Sequence, residues 1–156
     1  MDMVENLADL FLSSKGRISR KTFWIGVGAL VAWSILVFIV LWSALGASLV
    51  QTFLGRLVGF PFELATIYFG YNLAAKRFND RARPLICAAA GAGVAAVKSL
   101  LDLVRITGDP LTQTWLDELF ILAGTGIALW YFLELGLMRG TVGPNDHGED
   151  PEPERA

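Results

Sequence analysis

Four apolar stretches, each about 20 residues long, constrain the fold of this chain more than any other feature. They run approximately over residues 23–45, 53–75, 84–104 and 119–138. A helix of about 20 residues crosses a hydrocarbon core of about 30 Å, and backbone groups in lipid must be hydrogen-bonded within their own segment. The run FWIGVGALVAWSILVFIVLW does not alternate polar with apolar residues as barrel strands do. The sequence therefore predicts an all-α protein, a transmembrane bundle of four helices.

The composition and the charge exclude several classes of protein. Of the 156 residues, 54% are hydrophobic and 18% are charged, which is too apolar for an ordinary soluble domain. The formal net charge is -2, so no basic excess points to nucleic acid. The single cysteine, Cys87, lies in an apolar run, and the single histidine, His147, lies in the polar tail. This leaves no metal-ligand set and no catalytic triad, and we expect no metal, no cofactor and no enzymatic activity.

Lysine and arginine are concentrated in alternate connections between the apolar stretches. Arg105 lies between the third and fourth stretches, whereas ten of the thirteen cations lie before the first, between the second and third, or after the fourth. These ten are Lys15, Arg17, Arg20, Lys21, Lys76, Arg77, Arg81, Arg83, Arg139 and Arg155. Positive residues near helix ends are retained in the cytoplasm. Both termini and the KRFNDRAR segment at residues 76–83 are therefore predicted to be cytoplasmic.

The two ends of the chain differ from the apolar region between them. The stretch MDMVENLADLFLSS has apolar residues at helical spacing, namely Met3, Leu7, Leu10 and Phe11. This spacing predicts a short N-terminal helix, lying in the inner membrane interface or packed against the protein's own loops. The last residues are rich in Gly, Pro, Asn and Asp without an apolar period. We expect one transmembrane helical domain over residues 1–140 and a polar, loop-rich cytoplasmic tail over 141–156, with a disordered end.

Three short motifs carry a resemblance to a known family. They are GRISRKTFW at 16–24, KRFNDRARP at 76–84 and GTVGPNDHGEDP at 140–151. In this order and spacing the chain resembles the domain of unknown function 805 family, which implies a four-helix bacterial inner-membrane protein with no established biochemical activity. The matching positions are Gly16, Arg17, Ser19, Arg20, Phe23, Trp24, Arg77, Asp80, Arg83, Gly140, Thr141, Gly143, Asn145, Gly148, Asp150 and Pro151. The chain departs from the family pattern at Asn79, where histidine is usual, and at His147, where an aromatic residue is usual.

All three motifs fall on the predicted cytoplasmic side, where arginines and acidic or amide side chains can pair. Arginine suits planar, bidentate pairing with carboxylates. We therefore expect a folded cytoplasmic cap made of the tail and the loops, which either seals on itself or binds lipid headgroups or a partner protein. The candidate residues are Arg17, Arg20, Arg77, Asp80, Arg83, Asn145 and Asp150.

Charged residues also lie within the apolar stretches, where they require partners or water. Helical rise places Glu63 near the level that the Lys98 side chain reaches, and it places Arg56 near Asp102, so two intramembrane ion pairs are predicted. Glu134 is expected to meet Lys76 or Arg77.

Two classes of function follow from these candidates. The first is a non-enzymatic membrane module whose cap binds a partner protein or lipid headgroups. The alternative is a small transporter or channel that uses Glu63 and Lys98. The partners that we expect are membrane lipids, a membrane or cytoplasmic protein, or a second copy of the chain, and not nucleic acid.

Overall fold

The computed structural model describes residues 3–50, 52–108 and 112–152, and no strand element occurs within these ranges. Gly46 interrupts one helix with a left-handed φ of 73°. The predicted disordered end of the tail, residues 153–156, lies outside the described residues. The helices are α1 Met3–Leu12, α2 Arg20–Val50, α3 Phe53–Asp80, α4 Ile86–Leu103 and α5 Trp115–Tyr131, which continues as a π-helix over Phe132–Leu137. The predicted all-α class is thereby confirmed.

Three of these helices are long and apolar enough to cross a membrane. They span Arg20–Gly46, Ile86–Leu103 and Trp115–Leu137. Large apolar side chains on them point outward, such as Phe38 and Leu122, which are 61% and 72% exposed. An outward apolar surface of this kind is stable in lipid and unfavourable in water. The three helices indicate a multi-pass membrane protein.

The central helix, α3, is longer than the sequence predicted. It begins at Phe53, after Thr52 accepts a hydrogen bond from the backbone N–H of Gly55 at 3.2 Å, and it continues to Asp80 instead of ending near residue 75. The first five residues of the segment expected to be a loop are therefore helical. Their side chains are almost completely buried, and the four polar ones are hydrogen-bonded to other segments; these tertiary contacts extend the helix beyond its apolar stretch.

The last helix also begins earlier than expected, at Trp115 instead of residue 119. Thr114 and Asp117 form a capping box, in which the Asp117 carboxylate accepts from the Thr114 backbone N–H at 2.9 Å. The Thr114 hydroxyl accepts in return from the Asp117 backbone N–H at 3.4 Å. A capping box satisfies N–H groups that a helix start otherwise leaves without partners. It thereby fixes the point at which α5 begins.

The buried core lies at one end of the bundle, around the last two turns of α3. Phe78 and Ala75 are fully buried there, and they belong to a cluster of side chains from α1 to α4 and from the π-helix. The other members are Leu10, Ile18, Phe23, Leu73, Ala74, Ala88 and Leu135. At this end the helices are held by packing as well as by the surrounding lipid.

The short helix α1 packs along α3, where a polar stripe of α3 binds the end of α1. Four side chains at successive turns of α3 donate hydrogen bonds of 2.6–3.0 Å to backbone carbonyls. The donors Tyr68, Asn72, Lys76 and Asn79 reach the carbonyls of Leu12, Phe11, Asp9 and Ser14, respectively. The last carbonyls of a helix have no partner within the helix. The stripe supplies these partners and fixes α1 against α3 rather than against loops.

Candidate functional site

A buried carboxylate bound by two arginines lies where the three sequence motifs meet. The Asp80 carboxylate is 3.0 Å from Nη2 of Arg17, and its other oxygen accepts a hydrogen bond from Nη1 of Arg77. The three side chains are between 1% and 3% exposed. Two cations surround one buried anion, so each charge depends on the others.

The C-terminal segment closes over this cluster through Arg17 and Asp80. Arg17 donates to the backbone carbonyls of Thr141 and Gly143, both at 2.7 Å. The Asp80 carbonyl accepts from the Thr141 backbone N–H at 2.8 Å and from its hydroxyl at 3.0 Å. These contacts join segments more than 60 residues apart in sequence. We call the assembly of residues 13–20, 76–83 and 139–152 the cap.

The π-helix at the end of α5 presents its carbonyls to the cap. Arg77 donates to the Leu135 carbonyl at 2.9 Å and to the Met138 carbonyl at 2.6 Å. Arg20 donates to the Leu137 carbonyl at 3.2 Å. Cations near the C-terminal end of a helix also interact favourably with its dipole. Arg77 therefore serves the buried carboxylate and the end of α5 together.

Glu134, in the same π-helix, is bound by arginines that differ from the expected ones. One of its carboxylate oxygens lies 3.0 Å from Nη2 of Arg81 and 3.1 Å from Nε of Arg83. The predicted partners, Lys76 and Arg77, are bound to α1 and to the buried carboxylate instead, so this prediction was wrong. Because α3 remains helical to its end, Lys76 is on the face that contacts α1.

The remaining predicted cap residues, Asn145 and Asp150, order the C-terminal segment itself. Asn145 donates to the Asn79 carbonyl at 3.1 Å. The Asp150 carboxylate accepts from the backbone N–H groups of Glu152 and Gly143, both at 2.9 Å. These two N–H groups hold the pKa of Asp150 below its usual value. The cap thus includes every predicted cap residue. It also includes Asn79, Arg81 and Thr141, which were not predicted; their positions within the motifs are the sequence signal that could have identified them.

The opposite end of the bundle does not pair Glu63 with Lys98. The Lys98 ammonium lies 2.5 Å and 2.7 Å from the carboxylate oxygens of Asp102, one turn further along α4. Glu63 instead accepts a hydrogen bond from the Ser99 hydroxyl. Arg56 reaches Asp102 as predicted, but at its backbone carbonyl, 2.7 Å away, and not at its carboxylate. The four-residue spacing on one helix gave Lys98 a nearer anion than the one expected.

These observations define a class of protein: a helical, multi-pass membrane protein with a cap held by buried ion pairs at one end. The chain belongs to the family described as Protein of unknown function (DUF805), whose model matches residues 11–149. The match covers all five helices at least in part, and it confirms the resemblance predicted from the motifs. No curated protein and no solved structure shows significant similarity to the chain.

Proposed function

We propose that the chain is a non-enzymatic docking module of the bacterial inner membrane, whose cap binds a basic surface of a partner protein. The observation that supports this proposal is the inward orientation of two of the cap's cations. Arg17 and Arg77 are bound to Asp80 and to backbone carbonyls, and each side chain is 1% exposed. A surface fixed by such contacts is preorganised, which lowers the entropic cost of binding a partner.

One exposed turn of the cap is acidic, which favours a protein partner over lipid headgroups at that turn. The turn closed by the paired backbone groups of Asn145 and Gly148 exposes Asp146, and Glu149 follows it on the surface. Bacterial anionic headgroups repel such a surface. The exposed cations Lys15 and Lys21, which precede and begin α2, suit ordinary contacts with headgroups at the membrane surface.

The proposal includes a four-span topology with both termini in the cytoplasm. At about 1.5 Å per residue, α3 is about 42 Å long, which exceeds the thickness of the hydrocarbon core. α3 is partly polar and is therefore not among the three helices that are apolar enough by composition alone to cross a membrane. It is packed between α2 and α4, however, so its polar groups can be shielded from lipid. The unequal distribution of lysine and arginine supports the orientation.

This topology predicts the compartment of two connections. Reporter domains inserted after Gly46, near the end of α2, and after Gly108, beyond α4, should both report the periplasm. Reporters fused after Glu152 should report the cytoplasm. Compartment-specific enzymatic reporters in intact cells give the measurement. A cytoplasmic signal after Gly46 or after Gly108 would contradict the four-span arrangement.

The docking role predicts a cross-link from the acidic surface. A photo-crosslinking amino acid at His147, which is exposed between the two carboxylates, should give a discrete protein adduct in native membranes. Combined Asp146→Asn and Glu149→Gln substitutions should reduce the adduct roughly ten-fold, because charge complementarity governs association. A cross-linker at the lipid-facing Ile39, in α2, is the control. Unchanged adduct yield in the double variant would contradict the proposal, and an adduct of twice the chain mass would identify a second copy.

A small transporter is the second candidate, and a polar pocket between α3 and α4 favours it. Glu63 lines this pocket about three turns from the start of α3, and ionisable groups within a membrane often line a substrate path. Lys98, the other residue expected to take part, lines an adjacent pocket together with Glu63 and pairs with Asp102. Solute uptake into vesicles that contain the protein tests this candidate directly.

A further inference from the structure

The polar pocket at the end of the bundle opposite the cap is large enough for a solute of a few heavy atoms. Its volume is about 230 Å³, and Arg56, Phe60 and Glu63 of α3 face Ser99 and Asp102 of α4 across it. A single water needs only about 10–15 Å³ of such space, so the pocket is much larger than one water molecule requires.

The charged groups of the pocket differ in whether they have a partner of opposite charge. The Asp102 carboxylate is fully engaged, since it accepts from Lys98 and, at 2.6 Å, from the Thr107 hydroxyl. Glu63 accepts a hydrogen bond from Ser99, a neutral group. Arg56 donates to two backbone carbonyls, at 2.7 Å and 3.0 Å. Among the described residues, neither Glu63 nor Arg56 has an ion-pair partner, although unpaired charge within a membrane is costly.

These two charges cannot neutralise each other. Arg56 and Glu63 lie on one face of α3, seven residues and about two turns apart, which separates them by about 10 Å along the axis. Helical side chains lean toward the N-terminus, so the longer Arg56 side chain points away from Glu63. The pocket therefore presents a cationic end and an anionic end, with Phe60 between them.

We propose that this pocket binds a small soluble zwitterion, with its ammonium group at Glu63 and Ser99 and its anionic group at Arg56. Such a ligand supplies both missing counter-charges at once. The charged groups of Arg56 and Glu63 are at least about 10 Å apart, so two charge-assisted hydrogen bonds of about 2.8 Å leave about 5 Å or more between the ligand's charges, which an extended γ-amino acid spans. The Phe60 ring offers an apolar surface to the carbon chain that joins the two charges.

The order of the two charges distinguishes a soluble ligand from a zwitterionic lipid. Arg56 lies near the start of α3, whereas Glu63 lies two turns deeper along the helix. The ammonium group of the ligand must therefore enter first. In a phosphoethanolamine lipid the phosphate is joined to the acyl chains and lies on the deeper side, which is the reverse order. The site is remote from the cap, so the inference does not depend on the proposed docking role.

Calorimetric titration of the full chain in lipid nanodiscs tests the proposal with γ-aminobutyrate, butylamine and butyrate. The zwitterion should bind roughly ten-fold or more tightly than either singly charged analogue, since each end contributes a charge-assisted contact. Glu63→Gln should weaken the binding of the zwitterion and of butylamine but leave the affinity for butyrate unchanged. Arg56→Gln should weaken the binding of the zwitterion and of butyrate but leave the affinity for butylamine unchanged. Glu118→Gln changes an exposed carboxylate in the first turn of α5 and should leave all three affinities unchanged.

Several outcomes would overturn the inference. An analogue that binds as tightly as the zwitterion, or no saturable binding at millimolar γ-aminobutyrate, would exclude a two-ended site. The affinities of the three ligands for the unaltered protein answer this question even where a pocket variant does not fold. Nanodiscs of phosphatidylethanolamine, compared with phosphatidylcholine, should leave the affinity unchanged; strong competition would identify a lipid site. The double variant with Asp146→Asn and Glu149→Gln, which tests the docking proposal, should bind γ-aminobutyrate with unchanged affinity. Failure of one proposal can therefore be distinguished from failure of the other.

Discussion

Asp80→Asn is expected to be the most damaging single substitution in the cap, with a loss of about 3–5 kcal/mol in the free energy of unfolding. The asparagine side chain fits the space but carries no charge. The guanidinium groups of Arg17 and Arg77, each 1% exposed, would then be buried without an anion between them. Chemical denaturation in detergent, followed by tryptophan fluorescence, measures the loss, and protease digestion of the C-terminal segment should accelerate.

The matched control is Asp146→Asn, which makes the same chemical change at an exposed position of the cap. It should alter the free energy of unfolding by less than about 0.5 kcal/mol, as is usual for surface substitutions. Adding Arg17→Gln to Asp80→Asn should recover part of the stability, because it removes one of the two unpaired cations. Equal stability of Asp80→Asn and Asp146→Asn would show that the buried cluster does not hold the cap.

The sequence predicted much of the cap because its contacts coincide with motifs. Arg17, Arg77 and Asp80 were candidates on charge and on motif position, and the structure brings all three together. Their separation along the chain is spanned by helices whose lengths follow from apolar content, so both ends of each helix could be located approximately. The assignment of individual partners needed the structure, since arginine binds any carboxylate or carbonyl within reach.

The errors have definite physical causes. Polar residues at the end of an apolar stretch do not show whether the helix stops, and tertiary hydrogen bonds extend α3 to Asp80. Because of this extension, the Lys76 side chain faces α1 and pairs with Asp9, and Glu134 pairs with Arg81 and Arg83 instead. The π-helix has no sequence signature, because its widened turn depends on contacts with other helices. By contrast, the pairing of Lys98 with Asp102 was available from their four-residue spacing.

Among the glycines of the cap, Gly140 has the least space, and Gly140→Ala is expected to cost about 3 kcal/mol, the upper range for over-packing. A methyl group there would overlap with Oδ2 of Asp80. The carboxylate cannot move aside without breaking its contacts with Arg17 and Arg77, so the C-terminal segment must be displaced instead. The Thr141 backbone N–H donates a hydrogen bond to the Asp80 carbonyl, and its hydrogen exchange should accelerate by at least ten-fold when this bond is lost.

Gly126→Ala, in α5, provides a control with the opposite expected sign. A methyl group at Gly126 would meet no side chain or other segment within 4 Å, and its backbone is helical. Alanine there should stabilise the helix by about 0.5–1 kcal/mol, because glycine loses more conformational freedom on folding. The same chemical change should thus destabilise the protein at Gly140 and stabilise it at Gly126. If Gly140→Ala left both the exchange rate of Thr141 and the denaturation midpoint unaltered, the close contact between Gly140 and Asp80 would be excluded as a determinant of the cap.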